Sequence, residues 1–182
     1  NVMLRNDAGR RFQNVTTSAG LGHIQKGHGV AFADFDNDGD QDIYHQLGGF
    51  FPGDKFHNAL FKNPGHGCQY LTVRLVGVQS NRAGYGARIK VVVETPQGER
   101  DIHRAVGSVS SFGGSPQRQE IGLGDATAIK TLAIYWPASG TRQVFHDVPV
   151  DSMILVAEDR KIYEPLRAPS FDFAAAWEKP GL

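Results

Sequence analysis

The chain has 182 residues, enough for one domain or two small ones around a real core. Lys plus Arg and Asp plus Glu both number 19, so the formal net charge of +0 gives no electrostatic reason for nucleic acid or a membrane surface as partner. The single cysteine, Cys68, excludes an intrachain disulfide. No apolar run approaches the ~20 residues of a membrane-spanning helix, so no membrane insertion is expected.

Twenty-two glycines and few helix-periodic stretches predict short strands joined by turns, a mainly β fold. The chain opens at Asn1 inside a motif, without an initiator Met or a charged-then-apolar leader, and reads as a mature export product or a piece of something longer. Residues 1–16 predict a hairpin around Asn6-Asp7-Ala8-Gly9, where Asn and Asp bend back on their own backbone and Gly supplies positive φ. Ala19-Gly20-Leu21-Gly22 is a loop.

The most informative stretch follows. Asp34-Phe35-Asp36-Asn37-Asp38-Gly39-Asp40-Gln41-Asp42 holds five aspartates and no basic residue. Such a run repels itself unless a cation sits within it. Asp34, Asp36, Asp38 and Asp42 stand at loop positions 1, 3, 5 and 9, where their carboxylates can converge, and Asp40 at position 7 can offer its carbonyl. Gly39 permits the sharp turn. Hard oxygen ligands favour Ca²⁺ over zinc or copper, and a flexible cage suits Mg²⁺ less well. An EF-hand would need Glu at position 12 and flanking helices, but position 12 is His45 and the flanks, Gly27–Ala33 and Ile43–Gln46, read as strands. The pattern is therefore a calcium hairpin, the alternative being a solvated acidic turn without metal.

After the hairpin, Gly48–Phe61 is aromatic and glycine-rich, with Phe50, Phe51, Phe56 and His57. It reads as a contact loop or, on the more conservative reading, as phenylalanines capping the core where the two halves meet. Asn58–Gly65 echoes the apolar-strand-then-turn pattern near Leu4, which suggests a blade-like unit over about 4–63. From Gln69 the pattern is plain β. Strands are predicted at Tyr70–Val78, Ala87–Val93, Glu99–Val106, Gln119–Leu123, Thr131–Trp136, Thr141–Phe145, Met153–Ala157 and Lys161–Tyr163. That regular spacing predicts a small β-sandwich or barrel. Residues 164–182 carry Phe171, Phe173 and Trp177, and read as a short helix or an extended tail docking its aromatics on this chain or a neighbour.

Two sets of residues resemble known families. Gly29–Tyr44, with the Leu4–Gly9, Phe12 and Val15-Thr16 segment before it, resembles an FG-GAP/VCBS repeat, the calcium-loop blade unit of integrin-α-like β-propellers. Gly86-Ala87-Arg88-Ile89, Ile121-Gly122-Leu123-Gly124-Asp125 and Trp136-Pro137-Ala138-Ser139-Gly140 resemble the ASPIC/UnbV domain of cartilage-acidic-protein-like and secreted bacterial proteins. Ile121 stands where that family more often has Phe. The resemblance implies three segments: a repeat over 1–66 with the calcium loop, a β domain over 67–160 and a C-terminal tail over 161–182.

Other chemistry has thin support. None of the seven histidines is paired at His-x₃-His spacing, and His28 and His45 flank the loop where they would orient ligand carboxylates through hydrogen bonds. Ser108, Ser110, Ser111 and Ser115 lie in a Gly-rich loop with no nucleophile elbow and no phosphate-cradle ending. Arg82, Arg88 and Arg118 form at most a modest anion site and read as solvated. No catalytic or organic-cofactor residue is assigned. The expected function is a calcium-binding extracellular β module, secreted, periplasmic or on the cell surface, that mediates adhesion or assembly with a protein partner or with itself, with Ca²⁺ mainly structural. The alternative is a calcium-dependent enzyme with a pocket between the metal loop and the Phe50–Phe56 segment. A carbohydrate partner would need Trp136 or Tyr85 as a platform.

Overall fold

In the computed structural model, which describes residues 1–107 and 112–173, the strands gather into four sheets. β1 (Leu4–Asp7) and β2 (Arg11–Asn14) form the expected hairpin. β3 (Gly27–Ala33), β4 (Asp42–Leu47) and β5 (Ala59–Phe61) form a three-stranded antiparallel sheet. The aspartate run closes the β3–β4 hairpin, with Ala33 paired to Asp42 across its mouth.

The remaining strands make a β-sandwich of two open four-stranded sheets. They are β6 (Gln69–Val76), β7 (Arg88–Thr95), β8 (Gly98–Ala105), β9 (Gln119–Gly124), β10 (Ala128–Tyr135), β11 (Arg142–Val148), β12 (Ser152–Ala157) and β13 (Glu164–Leu166). One sheet runs β11-β10-β7-β8 and the other β13-β12-β6-β9. All their pairings are antiparallel except β6 with β12. The final strand lies at Glu164–Leu166, a little beyond the predicted Lys161–Tyr163, where it pairs with β12 from Met153 to Leu155.

The sandwich follows from period-two patterning. Ile89, Val91 and Val93 of β7, Leu71, Val73 and Leu75 of β6, and Ile121 and Leu123 of β9 point into one shared core. β10 breaks the alternation: a bulge between Ile129 and Thr131 lets both Ile129 and Leu132, three residues apart, face inward. Each fully buried aliphatic side chain contributes about 1.5–3 kcal/mol relative to exposure. Trp136 is the largest wholly buried side chain. Its indole N–H donates to Gln143 Oε1 at 2.7 Å, and Gln143 Nε2 donates to the carbonyls of Ala157 and Arg160. Trp136 therefore belongs to the core and offers no platform for a sugar.

The Phe50–Phe56 segment departs from its core-capping reading. Phe50 is 94% exposed, Phe51 68% and Phe56 53%, so they cap no core among the described residues. The short 3₁₀ turn Pro52–Asp54 between them likewise carries no buried residue.

Candidate metal centre

The loop is shaped by its own carboxylates before any ion is considered. Asp34 Oδ1 accepts the Asp38 N–H and Oδ2 the Gly39 N–H, both at 3.1 Å, which curls the chain around the first aspartate. Asp38 Oδ1 accepts the Asp40 N–H. Asn37 and Gly39 have φ of 56° and 98°, conformations that Asn tolerates and Gly adopts freely. A second reason for glycine emerges only in three dimensions: a Cβ at position 39 would lie 2.2 Å from Cε1 of the Tyr70 ring on β6.

Asp34, Asp36 and Asp38 each offer a carboxylate oxygen within 4.8 Å of the others. That group does not include Asp40 or Asp42. Asp42 is fully buried and spends both oxygens on backbone, accepting the Phe35 N–H at 3.1 Å and the Asn63 N–H at 2.8 Å. It fastens the loop's exit to the chain beyond β5. Asp40 is partly exposed and lies beside Gly65. Burial pushes the Asp34, Asp40 and Asp42 carboxyls above their ordinary range; backbone N–H donors pull Asp34 and Asp42 back down, and neighbouring aspartates add to the rise at Asp40 and Asp42.

The fit of a cation rests on Asp36. Its side chain is fully buried, and Oδ1 is the one wholly buried side-chain oxygen without a hydrogen-bond partner among the described residues. An unpaired buried carboxylate oxygen costs free energy that a coordinated cation would recover. Oδ2 of the same group accepts from Lys62 Nζ at 2.5 Å, and that ammonium stands 3.5 Å from Asp38 Oδ2. The hydrogen bond to Asp36 raises the Lys62 pKa. Three carboxylates, one orphaned oxygen and all-oxygen chemistry suit Ca²⁺.

Four further contacts were invisible in the sequence. Lys62 is one, since nothing in its neighbourhood marks it as facing the loop. Arg118, read as solvated, instead donates to Glu120 Oε1, Asn37 Oδ1 and the Asp34 carbonyl. Glu120 Oε2 in turn accepts from the Asp34 N–H and from Gln41 Nε2, each at 3.0 Å. The C-terminal segment also reaches the loop: the Phe171 N–H donates to the Asp36 carbonyl and Asn37 Nδ2 to the Pro169 carbonyl. Docking on this chain is thus seen for Pro169–Phe173, while Trp177 lies outside the described residues.

The histidines do not play the part expected of them. His28 Nε2 pairs with the Gly48 carbonyl at 2.6 Å, and His45 Nδ1 with His23 Nε2 at 3.2 Å, so neither holds a loop carboxylate. Across the β3–β4 pair the partner of His45 is Val30, not His28. Ser108, Ser110 and Ser111 lie outside the described residues. A cleft of about 160 Å³ beside the loop is lined by Phe32, Asp40, Gln41, Tyr70 and Glu120 among others, and the Phe50–Phe56 aromatics have no part in it.

A second polar centre sits at the other end of the sandwich. Glu158 Oε2 accepts three successive backbone N–H groups, from Val78, Gln79 and Ser80, at 2.7–2.8 Å. Its Oε1 accepts the hydroxyls of Ser80 and Ser139, the latter from the Trp136–Gly140 turn. Burial alone would raise this carboxyl, but the five donors together hold it down at about 2.

The family model for the FG-GAP-like repeat matches residues 1–45, and that for ASPIC and UnbV matches residues 77–162. The first takes in β3, the aspartate loop and most of β4, and the second holds most of the sandwich, including Trp136 and Glu158. No curated protein matches the chain. No helix among the described residues is long and apolar enough to cross a membrane. Residues 1–45 are thus similar to an FG-GAP-like repeat, and residues 77–162, which follow it, to an ASPIC and UnbV domain.

Proposed function

We propose that this chain is a calcium-binding extracellular β module, secreted, periplasmic or at the cell surface, which serves adhesion or assembly with a protein partner. The observation that carries the reading is the buried, unpaired Asp36 Oδ1 amid the converging carboxylates of Asp34, Asp36 and Asp38. Asp40 and Asp42 complete the proposed set, Asp40 through its carbonyl and Asp42 chiefly by fixing the loop's exit. Ca²⁺ acts as a structural ion in this reading, because it turns aspartate repulsion into attraction and locks the hairpin. Bound at about 10 μM and supplied at about 1 mM, it would add roughly 2.7 kcal/mol of stability by mass action. The exposed Phe50 and Phe51 supply an apolar surface that suits a protein partner. The division into a repeat over 1–66, a β domain over 67–160 and a tail over 161–182 belongs to the same proposal.

The test is a thermal unfolding scan of metal-stripped protein with millimolar Ca²⁺, with Mg²⁺, and with neither, repeated for Asp36→Ala. A rise specific to Ca²⁺ and lost in the variant is the expected result. No rise would leave the loop a solvated turn and remove the basis of the proposal.

A further inference from the structure

We infer that the sandwich sets the calcium affinity of the loop: the Arg118–Glu120 pair at the start of β9, with Arg118 just ahead of the strand, holds residues 34–42 in binding geometry from some 80 positions away. The inference rests on the calcium reading above and concerns which residues make that loop competent.

The pair touches the loop at its start, its turn and its exit. At the start, Asp34 is gripped from both sides of its backbone, its N–H by Glu120 Oε2 at 3.0 Å and its carbonyl by Arg118 Nη2. At the turn, Arg118 Nη1 donates to Asn37 Oδ1 at 2.8 Å. At the exit, Glu120 Oε2 also accepts from Gln41 Nε2 at 3.0 Å. The two side chains are locked to each other by Arg118 Nε on Glu120 Oε1 at 2.7 Å and stand 23% and 5% exposed. A planar guanidinium in a water-poor setting fixes direction as well as distance. These two residues lie within the stretch matched by ASPIC and UnbV and outside the FG-GAP-like match.

The physical consequence concerns ordering. A free acidic loop must be immobilised, against its own repulsion, at the moment the ion binds, and that cost is subtracted from affinity. Bonds that hold the loop beforehand remove the cost. Coupling of this kind is reciprocal, so calcium must in turn steady β9.

Charge and geometry make opposite forecasts for one substitution. Arg118→Met removes a positive charge close to the site and exposes the loop to the unneutralised Glu120, so a purely electrostatic role predicts tighter calcium binding. A positioning role predicts weaker binding, by about 10–100-fold as is typical for residues that orient metal ligands. The experiment is calorimetric titration of the full chain with CaCl₂ for wild type, Arg118→Met, Arg118→Lys and Lys130→Met, with folding checked by circular dichroism. Lys130 pairs with Glu99 within the β11-β10-β7-β8 sheet, the one that does not contain β9, and serves as control. Expected are weaker binding in Arg118→Met, an intermediate loss in Arg118→Lys and none in Lys130→Met. Equal or tighter binding in Arg118→Met overturns the inference while leaving the calcium reading intact, whereas a wild type that gives no heat overturns both. Hydrogen exchange on wild-type protein provides an arm that needs no variant. Calcium should slow exchange across 118–124 as well as 34–42, and slowing confined to 34–42 would sink the coupling.

Discussion

Replacing Glu158 by Gln tests whether the buried carboxylate stabilises the sandwich through its charge. The carboxyl ordinarily titrates near 4.5 and is held at about 2 in the folded chain. At about 1.4 kcal/mol for each pH unit, that gap amounts to roughly 3 kcal/mol of stability at neutral pH. A folded-state pKa below the unfolded one means that the unfolded chain binds protons first. The contribution is therefore complete above about pH 4.5 and disappears as the pH falls towards 2. Gln keeps the shape, one acceptor for the N–H groups of Val78, Gln79 and Ser80, and an amide for the hydroxyls of Ser80 and Ser139. What it loses is the charge. Urea unfolding of wild type and Glu158→Gln at pH 7, 4 and 2.5 should show a gap of about 1.5–3 kcal/mol at pH 7 that narrows on acidification to about a quarter of that at pH 2.5. Effects of other carboxylates on acidification enter both proteins and cancel in the difference. A gap that does not change with pH, or none at pH 7, would refute the assignment of stability to the charge of Glu158.

Gly39→Ala should destabilise the protein by about 1–3 kcal/mol, since a φ of 98° and the Tyr70 ring both oppose a Cβ, and an unchanged urea midpoint would contradict this. Lys62→Met should lower the melting temperature of the metal-free protein and enlarge the rise produced by Ca²⁺, because Lys62 is the cation resting on Asp36 and Asp38. An unaltered calcium increment would show that the ammonium does not share the site. Converting Phe50 and Phe51 together to Ser should leave the melting temperature within about 1 °C, as both are exposed, while weakening any self-association seen by analytical ultracentrifugation. An association constant equal to that of wild type would exclude these aromatics as the contact.

The sequence by itself determined the strands and the candidate loop. Alternation of apolar residues in Ile89–Val93 and Leu71–Leu75 is a local property, set by side chains pointing to opposite faces of a pleated chain, and it reads directly as a buried face. The aspartate spacing around Gly39 is equally local, because the turn is closed by bonds between Asp34 and residues four and five positions on. Only the tertiary structure decided which of the five aspartates converge: Asp34, Asp36 and Asp38 bring their carboxylates together, whereas Asp42 ties the loop's exit to the distant Asn63 N–H. Long-range pairing likewise placed Lys62, Arg118 and Glu120 at the loop and turned His28 and His45 away from it. Such neighbours lie some 20 to 80 residues from the aspartates they serve, and no period or spacing in a single sequence encodes a contact made by the packing of one sheet against another.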